Sequence, residues 1–368
     1  MMLGPTPASS LRKPLSILLR RTQNEFNFPS ITRPICFKQC YHPYCRTRSF
    51  MSQTKAEPFS NGEVLRGHLG RTCIIQQILS KRRDPLLCVY RASDKGENFI
   101  IKDMIPGEFE YQQDLQSPLV SCLNFRTVID VIPDFNLFIN RFLATDLLQI
   151  SQKPLPEETR RSIIRSALTG LAELHDRGII RADIKPDNIL LDFEETTGDD
   201  LAIKSVQISD LEDAVLLPPG KSLKGCLCGN QLWRSPESWA RAWQNTLSDM
   251  FSFGVVVIYV MLNDMIFRVD NEEISGDNAW WPILRRHICY FGDEDGFKGL
   301  LQHVGQENVF FDRLIALAGD FDAERPRKPF QMWPYVDAEL RDLVMRMANL
   351  DPAQRIIARG ALEHPWFR

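Results

Sequence analysis

The spacing of apolar positions changes once along the chain, near residue 150. Before that point, short runs rich in β-branched and aromatic residues fall at 73–79, 86–92, 98–104, 127–132 and 137–142, divided by polar, Gly- or Pro-containing breaks. Such runs predict strands. Between the third and the fourth, residues 107–119 have helical character. After Pro156, apolar Ile163, Ile164, Ala167, Leu168, Leu171, Ala172 and Leu174 recur three and four residues apart, the stripe of a helix packed on a core. Further helices are predicted at 248–262, 282–287 and 338–348. The order is a small sheet-rich part followed by a larger helical one, an α+β chain with no internal repeat.

Composition changes this picture mainly at the amino terminus. The chain has 368 residues, 44% hydrophobic and 25% charged, and a formal net charge of −3. Residues 1–50 hold eight of the 44 Lys and Arg (Arg12, Lys13, Arg20, Arg21, Arg33, Lys38, Arg46, Arg48) but only one of the 47 acids, Glu25. The remainder, 51–368, keeps 36 basic and 46 acidic residues, a net of −10. That acidic body argues against a nucleic-acid partner, which needs a basic surface. The longest apolar run, 251–262, is too short for a membrane span.

Leu15, Ile17, Leu18 and Leu19 beside Arg12, Lys13, Arg20 and Arg21 have the pattern of mitochondrial presequences, and Arg48-Ser49-Phe50 looks like a matrix-protease site. A basic tail, or a translation start at Met51, accounts for the same residues. The expected localisation is mitochondrial if 1–50 is a presequence and cytoplasmic or nuclear otherwise. Cys36, Cys40, His42 and Cys45 cluster here, without the CxxC knuckle of a structural zinc site. Residues 51–72, polar and Gly-containing, read as a linker. Gly67 and Gly70 fall in it.

The chemistry concentrates in Leu174-His175-Asp176-Arg177-Gly178-Ile179-Ile180-Arg181-Ala182-Asp183-Ile184-Lys185-Pro186-Asp187-Asn188-Ile189-Leu190-Leu191-Asp192. Phosphoryl transfer needs a carboxylate at the attacking hydroxyl, a cation at the migrating group and oxygen ligands for magnesium. This stretch resembles the catalytic loop of eukaryotic-type protein kinases. The resemblance implies that Asp183 orients the substrate hydroxyl and accepts its proton, that Lys185 neutralises the transferred group, and that Asn188 binds metal. Ser205-Val206-Gln207-Ile208-Ser209 then leads into Asp210-Leu211-Glu212, which stands where the family has Asp-Phe-Gly, so Asp210 is implied as the second metal ligand. Phe99-Ile100-Ile101-Lys102 resembles the Val-Ala-Ile-Lys strand and makes Lys102 the contact to the α- and β-phosphates.

Trp233-Arg234-Ser235-Pro236-Glu237 is similar to the Ala-Pro-Glu that closes the activation segment, and Arg355 would pair with Glu237. Asp249 matches the aspartate that braces the catalytic loop. The implied architecture is a two-lobed protein-kinase-like fold over 73–368, with a small β-rich lobe (73–143) and a larger helical lobe (144–368). ATP with Mg2+ or Mn2+ is the implied cofactor set. The hinge is expected at Arg141-Phe142-Leu143, which puts polar Asn140 at the gatekeeper position.

Several family features are missing. Ser80-Lys81-Arg82-Arg83-Asp84-Pro85-Leu86-Leu87-Cys88 contains none of the glycines of the phosphate-covering turn, where a Cβ would obstruct close backbone approach. Charge from Lys81, Arg82 or Arg83 is one substitute. Helix 107–119 offers Lys102 Gln112, or Glu108 or Glu110 if the register slips. Arg181-Ala182 replaces His-Arg, which removes the docking point for an activation-loop phosphate, and Ser222 is the only hydroxyl residue of segment 211–233. Activity is therefore expected without loop phosphorylation. Asn230 stands where Ser/Thr-type kinases carry a Thr bonded to the catalytic Asp and Lys.

Cys226 and Cys228 in the same segment are candidates for redox sensitivity. Residues 270–335, rich in Trp, Phe and acids, read as an enlarged helical subdomain or, less readily, as a docking surface. The favoured function is phosphoryl transfer from ATP to Ser/Thr hydroxyls of a protein substrate. The alternatives are a pseudokinase that binds nucleotide or scaffolds a partner, and a kinase acting on a small molecule.

Overall fold

Cys88, Tyr90 and Ala92 are buried while Val89 and Arg91 between them are not, the period of two that a strand imposes. The same logic builds a six-stranded antiparallel sheet from β1 (Val64–Arg66), β2 (Thr72–Arg82), β3 (Leu87–Asp94), β4 (Glu97–Asp103), β5 (Val128–Ile132) and β6 (Leu137–Arg141), in the order β1-β2-β3-β4-β6-β5. The structure, a computed structural model, describes residues 57–195 and 201–368. The basic leader, its presequence reading and the cluster of Cys36, Cys40, His42 and Cys45 lie outside the described residues.

The sheet begins earlier than the sequence suggested. Val64–Arg66 pairs with Thr72–Ile74, and Phe59 joins the core formed by Tyr90, Phe99 and Ile139. The carboxy-terminal part of the expected linker is thus a strand and a turn. Gly67 packs so tightly on β5 that a Cβ there would lie 2.1 Å from an Asp130 carboxylate oxygen, which explains the glycine.

Helix α1 (Glu108–Gln116) crosses from β4 to β5, burying Phe109, Gln112, Leu115 and Gln116. The larger lobe opens with β7 (Thr145–Asp146) and α2 (Leu147–Ile150), which Asp146 caps by accepting from the Gln149 N–H at 2.8 Å. Helix α3 (Glu157–Asp176) carries the predicted stripe inward and starts after Pro156 with Glu157 and Glu158 at its positive end. It ends before Gly178, whose φ of +69° suits glycine.

β8 (Ile179–Ile180) pairs with β11 (Val215–Leu216), and β9 (Ile189–Glu195) with β10 (Leu201–Ile208) and β7. Helices α4 (Pro236–Trp239) and α5 (Thr246–Leu262) follow. Almost all of α5 is buried, and it stops at Asn263, which is left-handed (φ +53°).

Region 270–335 is helical: α6 (Asn271–Ser275), α7 (Trp280–Phe291), α8 (Glu294–Val304) and α9 (Phe310–Gly319), before α10 (Ala338–Met347) and α11 (Ala358–Leu362). Its aromatic residues largely face inward, Phe291 against Phe251 and Phe330 against Trp333. This is the enlarged helical subdomain of the favoured reading. Among the described residues no helix is long and apolar enough to cross a membrane.

Candidate active site

Two buried acids of the larger lobe fix the backbone on which the site is built. Asp249, in the first turn of α5, accepts from the N–H groups of Arg181 (2.7 Å) and Ala182 (2.8 Å) and from His175 Nε2 (3.1 Å). This holds Ala182 in the left-handed region (φ +65°) and turns Asp183 outward. The Arg181 side chain, fully buried, donates to the carbonyl of Ser209 at 3.1 Å. That bond ties the catalytic loop to the residue before Asp210. Glu237 and Arg355, also fully buried, pair through 2.6 and 2.8 Å bonds, and the Ser248 hydroxyl donates to the same carboxylate at 2.7 Å. Burial would raise the Glu237 pKa, but Arg355 and Ser248 outweigh it and hold it at about 2. Both bracing roles expected from the sequence are present.

On that frame Asp183, Lys185 and Asn188 meet. Asn188 Nδ2 donates to the backbone carbonyl and to the carboxylate of Asp183, both at 3.1 Å. Lys185 Nζ lies 3.5 Å from Asp183 and 3.3 Å from Asp187. Burial pulls the Lys185 amine down, but Asp183 and Asp187 more than offset it and leave its pKa raised. The other Asp183 oxygen accepts from the backbone N–H of Asn230 at 2.7 Å, while the Asn230 side chain accepts from the Leu232 N–H. Residue 230 therefore reaches Asp183 through its backbone, not its amide side chain. The approach needs Gly229, which has φ +75° and where a Cβ would lie 2.8 Å from the Ala182 carbonyl.

Asp210 stands across the cleft in a left-handed conformation (φ +54°), with Leu211 buried behind it. Its carboxylate accepts from Lys102 Nζ at 2.6 Å. All five predicted residues, Lys102, Asp183, Lys185, Asn188 and Asp210, thus converge on one cleft between the lobes. Asn188 turns its amide nitrogen to Asp183, which leaves the amide oxygen and the Asp210 carboxylate as cation donors. Hard oxygen donors fit Mg2+ or Mn2+. Among the described residues no group of three or more His, Cys, Asp and Glu side chains forms a metal cluster, so phosphate and water would complete the coordination.

Sequence reasoning missed two residues. Glu212 also contacts Lys102 Nζ. Gln112, fully buried as its register predicted, donates to the backbone carbonyl of Glu212 at 3.3 Å, and Glu110 is occupied in capping α1. None of the three helix candidates is the ionic partner of Lys102. The cue was present, since an acid replaces the expected glycine just where the helix lacks one.

The second missed residue is Arg126. The backbone at 124–126 bonds to Ile208, and the Arg126 guanidinium donates to the carbonyl of Arg141, at the hinge end of β6, at 2.8 Å. Burial lowers its pKa to about 10 against the opposing pull of Asp210. Next to it, the Asn140 side chain donates to the Thr127 carbonyl at 3.1 Å.

Two other expectations fare differently. The turn between β2 and β3 spans 83–86, and Lys81 Nζ pairs with Glu57 at 3.6 Å. Cys226 and Cys228 are buried, and burial pushes the Cys228 thiol well up, opposite to a reactive thiolate.

Comparison with known proteins agrees with this geometry. The protein kinase domain model matches residues 88–367. An Aurora kinase of Yarrowia lipolytica is 25% identical over 294 residues, covering 76% of this chain and 64% of that protein. The phosphorylase b kinase gamma catalytic chain, liver/testis isoform, of Bos taurus is 26% identical over 305 residues, covering 76% and 62%. The chain spans a little under two thirds of the length of these two relatives. The crystal structure of the yeast RNA Pol II CTD kinase CTDK-1 complex shares the fold, with a TM-score of 0.60 at 16% identity over 75% of this chain and 88% of that one. With the family model covering the cleft and both lobes beyond β2, the chain belongs to the protein kinase domain family.

Proposed function

We propose that this chain transfers the γ-phosphoryl group of ATP to a Ser or Thr hydroxyl of a protein substrate. The observation that carries the reading is the convergence of Lys185 and Asn188 on the Asp183 carboxylate, each within 3.5 Å of it, with Asp210 and Lys102 paired across from them. Asp183 accepts the hydrogen bond of the incoming hydroxyl and takes its proton as the oxygen attacks. Lys185 sits beside that carboxylate and offsets the negative charge gathering on the transferred group. Lys102 holds the α- and β-phosphates. Asn188 and Asp210 would hold Mg2+ or Mn2+, which supplies charge neutralisation at the phosphate oxygens when bound. Lysine at 185 is the Ser/Thr-kinase choice, and the acidic body of the chain favours basic peptides.

Asp183→Asn keeps size and hydrogen-bonding reach but removes the base. Its kcat for transfer to a Ser-containing peptide is expected to fall roughly 10²–10⁴-fold, with ATP affinity within about threefold of wild type by the scale of one neutral hydrogen bond. An unchanged kcat would contradict the role given to Asp183.

Two observations favour a second reading, a pseudokinase that binds partners without turnover. The β2–β3 turn has no glycine, and Arg126 already holds the Arg141 carbonyl at the expected base site. Both weigh on nucleotide binding rather than on the transfer residues. They predict weak ATP affinity before they predict absent chemistry.

A further inference from the structure

The segment between α1 and β5 is clamped to the strand that leads into Asp210. The Asn124 carbonyl accepts from the Ile208 N–H at 2.8 Å, the Arg126 N–H donates to the Ile208 carbonyl at 3.0 Å, and the Asn124 side chain donates to the Val206 carbonyl at 3.1 Å. The Arg126 backbone is thereby fixed at the end of β10, beside a residue two positions before Asp210. Its side chain reaches the end of β6, where Nε donates to the Arg141 carbonyl at 2.8 Å. Beyond Arg141 the chain crosses at 142–144 to β7, which pairs with β9 in the other lobe. Half-buried Arg126 therefore spans from the metal motif to the hinge. A nucleotide with its phosphates at Lys102 and Asp210 and its base at the hinge sets the edge of that base against this guanidinium.

What a guanidinium presents to a base is one-sided. It holds five N–H donors in a rigid plane and has no acceptor. Among the described residues the Arg126 side chain has no hydrogen-bond partner besides the Arg141 carbonyl, which leaves both terminal nitrogens for a ligand. Adenine offers such a fork one acceptor, N7, beside an amino group that itself donates. Guanine offers two, N7 and O6, at the spacing an arginine matches. The Arg141 carbonyl keeps a second lone pair, but an adenine amino group reaching for it would lie against donors. Asn140, the residue before Arg141, adds to this. Its amide nitrogen is spent on the Thr127 carbonyl, which leaves the amide oxygen to accept. Guanine carries an N–H at position 1, beside O6, where adenine carries a bare nitrogen.

We propose that Arg126 is a specificity-determining residue that turns the base subsite toward guanine, so that the chain takes GTP as phosphoryl donor in preference to ATP. The inference rests on the phosphoryl-transfer reading and names its nucleotide; ATP remains a donor, bound more weakly. Transfer from GTP balances as transfer from ATP does. The hydroxyl oxygen bonds to the γ-phosphorus, the bond from that phosphorus to the β,γ-bridging oxygen breaks, the hydroxyl proton goes to Asp183, and GDP leaves.

The test is isothermal titration calorimetry of the full chain with GTP, ITP and ATP in the presence of Mg2+. ITP keeps the O6, N1–H and N7 of guanine but lacks the 2-amino group, so it isolates the edge in question. GTP and ITP are expected to bind the wild type about tenfold more tightly than ATP, within the range for one bidentate arginine–guanine pair. Arg126→Val is expected to weaken GTP about tenfold while raising the affinity for ATP, which reverses the order. Arg126→Lys keeps the charge and loses the fork, and is expected to bring the preference to within about twofold.

ATP bound as tightly as GTP by the wild type would overturn the inference, as would a chain that binds none of the three. A guanine preference that survives Arg126→Val or Arg126→Lys would overturn it too, and so would ITP that follows ATP instead of GTP. Transfer of labelled γ-phosphate from each nucleotide separates the two readings. An Arg126-dependent preference for GTP and ITP with no transfer from any of them would overturn the phosphoryl-transfer reading and leave the base preference established. Transfer from ATP without any guanine preference would do the reverse.

Discussion

Arg126 and Asp183 show how single side chains divide the work of the cleft. Asp183 is held from three sides, by Asn188, Lys185 and the Asn230 backbone, so its carboxylate is oriented before any substrate arrives. Arg126 instead donates to the Arg141 carbonyl, the acceptor that the proposed hinge would offer a nucleobase. Replacing it with Val removes that competing bond, and the affinity for ATP, followed by fluorescence titration, is expected to rise about five- to tenfold, the worth of one hydrogen bond. Unchanged affinity would mean that the guanidinium and the base do not compete for the Arg141 carbonyl.

The same pair marks what a sequence reveals at this scale. Asp183, Lys185, Asn188 and Asp210 are legible because their loop and the motif after the next strand resemble those of a known family. Glu212 and Arg126 act through partners about 110 and 15 residues away in the chain; the acid in place of the expected glycine was a cue for Glu212, and nothing local marks Arg126.

Among the elements, the approach of the activation segment to the catalytic loop depends on Gly229. Alanine there adds a Cβ 2.8 Å from the Ala182 carbonyl and imposes a φ of +75° on a residue that disfavours it. Gly229→Ala is expected to displace Asn230 from Asp183 and lower kcat by roughly tenfold, the equivalent of about 1–2 kcal/mol of left-handed strain. Global stability, followed by thermal melting, should move much less than the rate. Equal losses in both would assign Gly229 to packing alone.

Element boundaries were legible where alternation was sustained: β3 and β4 fall within two residues of the runs at 86–92 and 98–104. β1 escaped because only Leu65 of its three residues is buried, which leaves no period to read. Helices α8 and α9 escaped because their apolar residues are interleaved with acids and glycine in a region whose dense aromatic content hid the helical period.

For the whole molecule, acid is the expected weak point, and the cause is one buried cluster in the larger lobe. His287 is fully buried between Phe251 and Phe267. Burial lowers its pKa from 6.5 to about 3. The folded chain thus keeps His287 neutral while the unfolded chain protonates it, so its contribution is complete above pH 6.5 and is lost as pH falls toward 3. Glu237 acts in the same direction at lower pH. Its pKa is depressed from 4.5 to about 2, so its stabilisation is complete above pH 4.5 and disappears as pH falls toward 2.

His287→Phe should flatten the loss of melting temperature between pH 6.5 and 4.5 and leave the steeper loss below 4.5. A melting curve with the same pH slope in the variant would place the acid sensitivity elsewhere. Glu237→Gln leaves Arg355 buried with its charge uncompensated and is expected to cost about 3–5 kcal/mol in denaturant titration.

At this scale the two-lobed α+β architecture was legible because the change from strand-like to helix-like spacing survives averaging over many residues. The pairing of Glu237 with Arg355, 118 residues apart, was legible only through likeness to a family.

The central claim is that the cleft still transfers phosphate despite a glycine-free turn and a rebuilt metal motif. Its most direct test is transfer of radiolabelled γ-phosphate from ATP by the full chain, with Mg2+ and with Mn2+, to basic and acidic Ser/Thr-containing proteins, beside an Asp210→Ala control. Label is expected to be incorporated with at least one metal and to be lost in Asp210→Ala. Incorporation no greater than the control under every one of these conditions would contradict it and favour the pseudokinase reading.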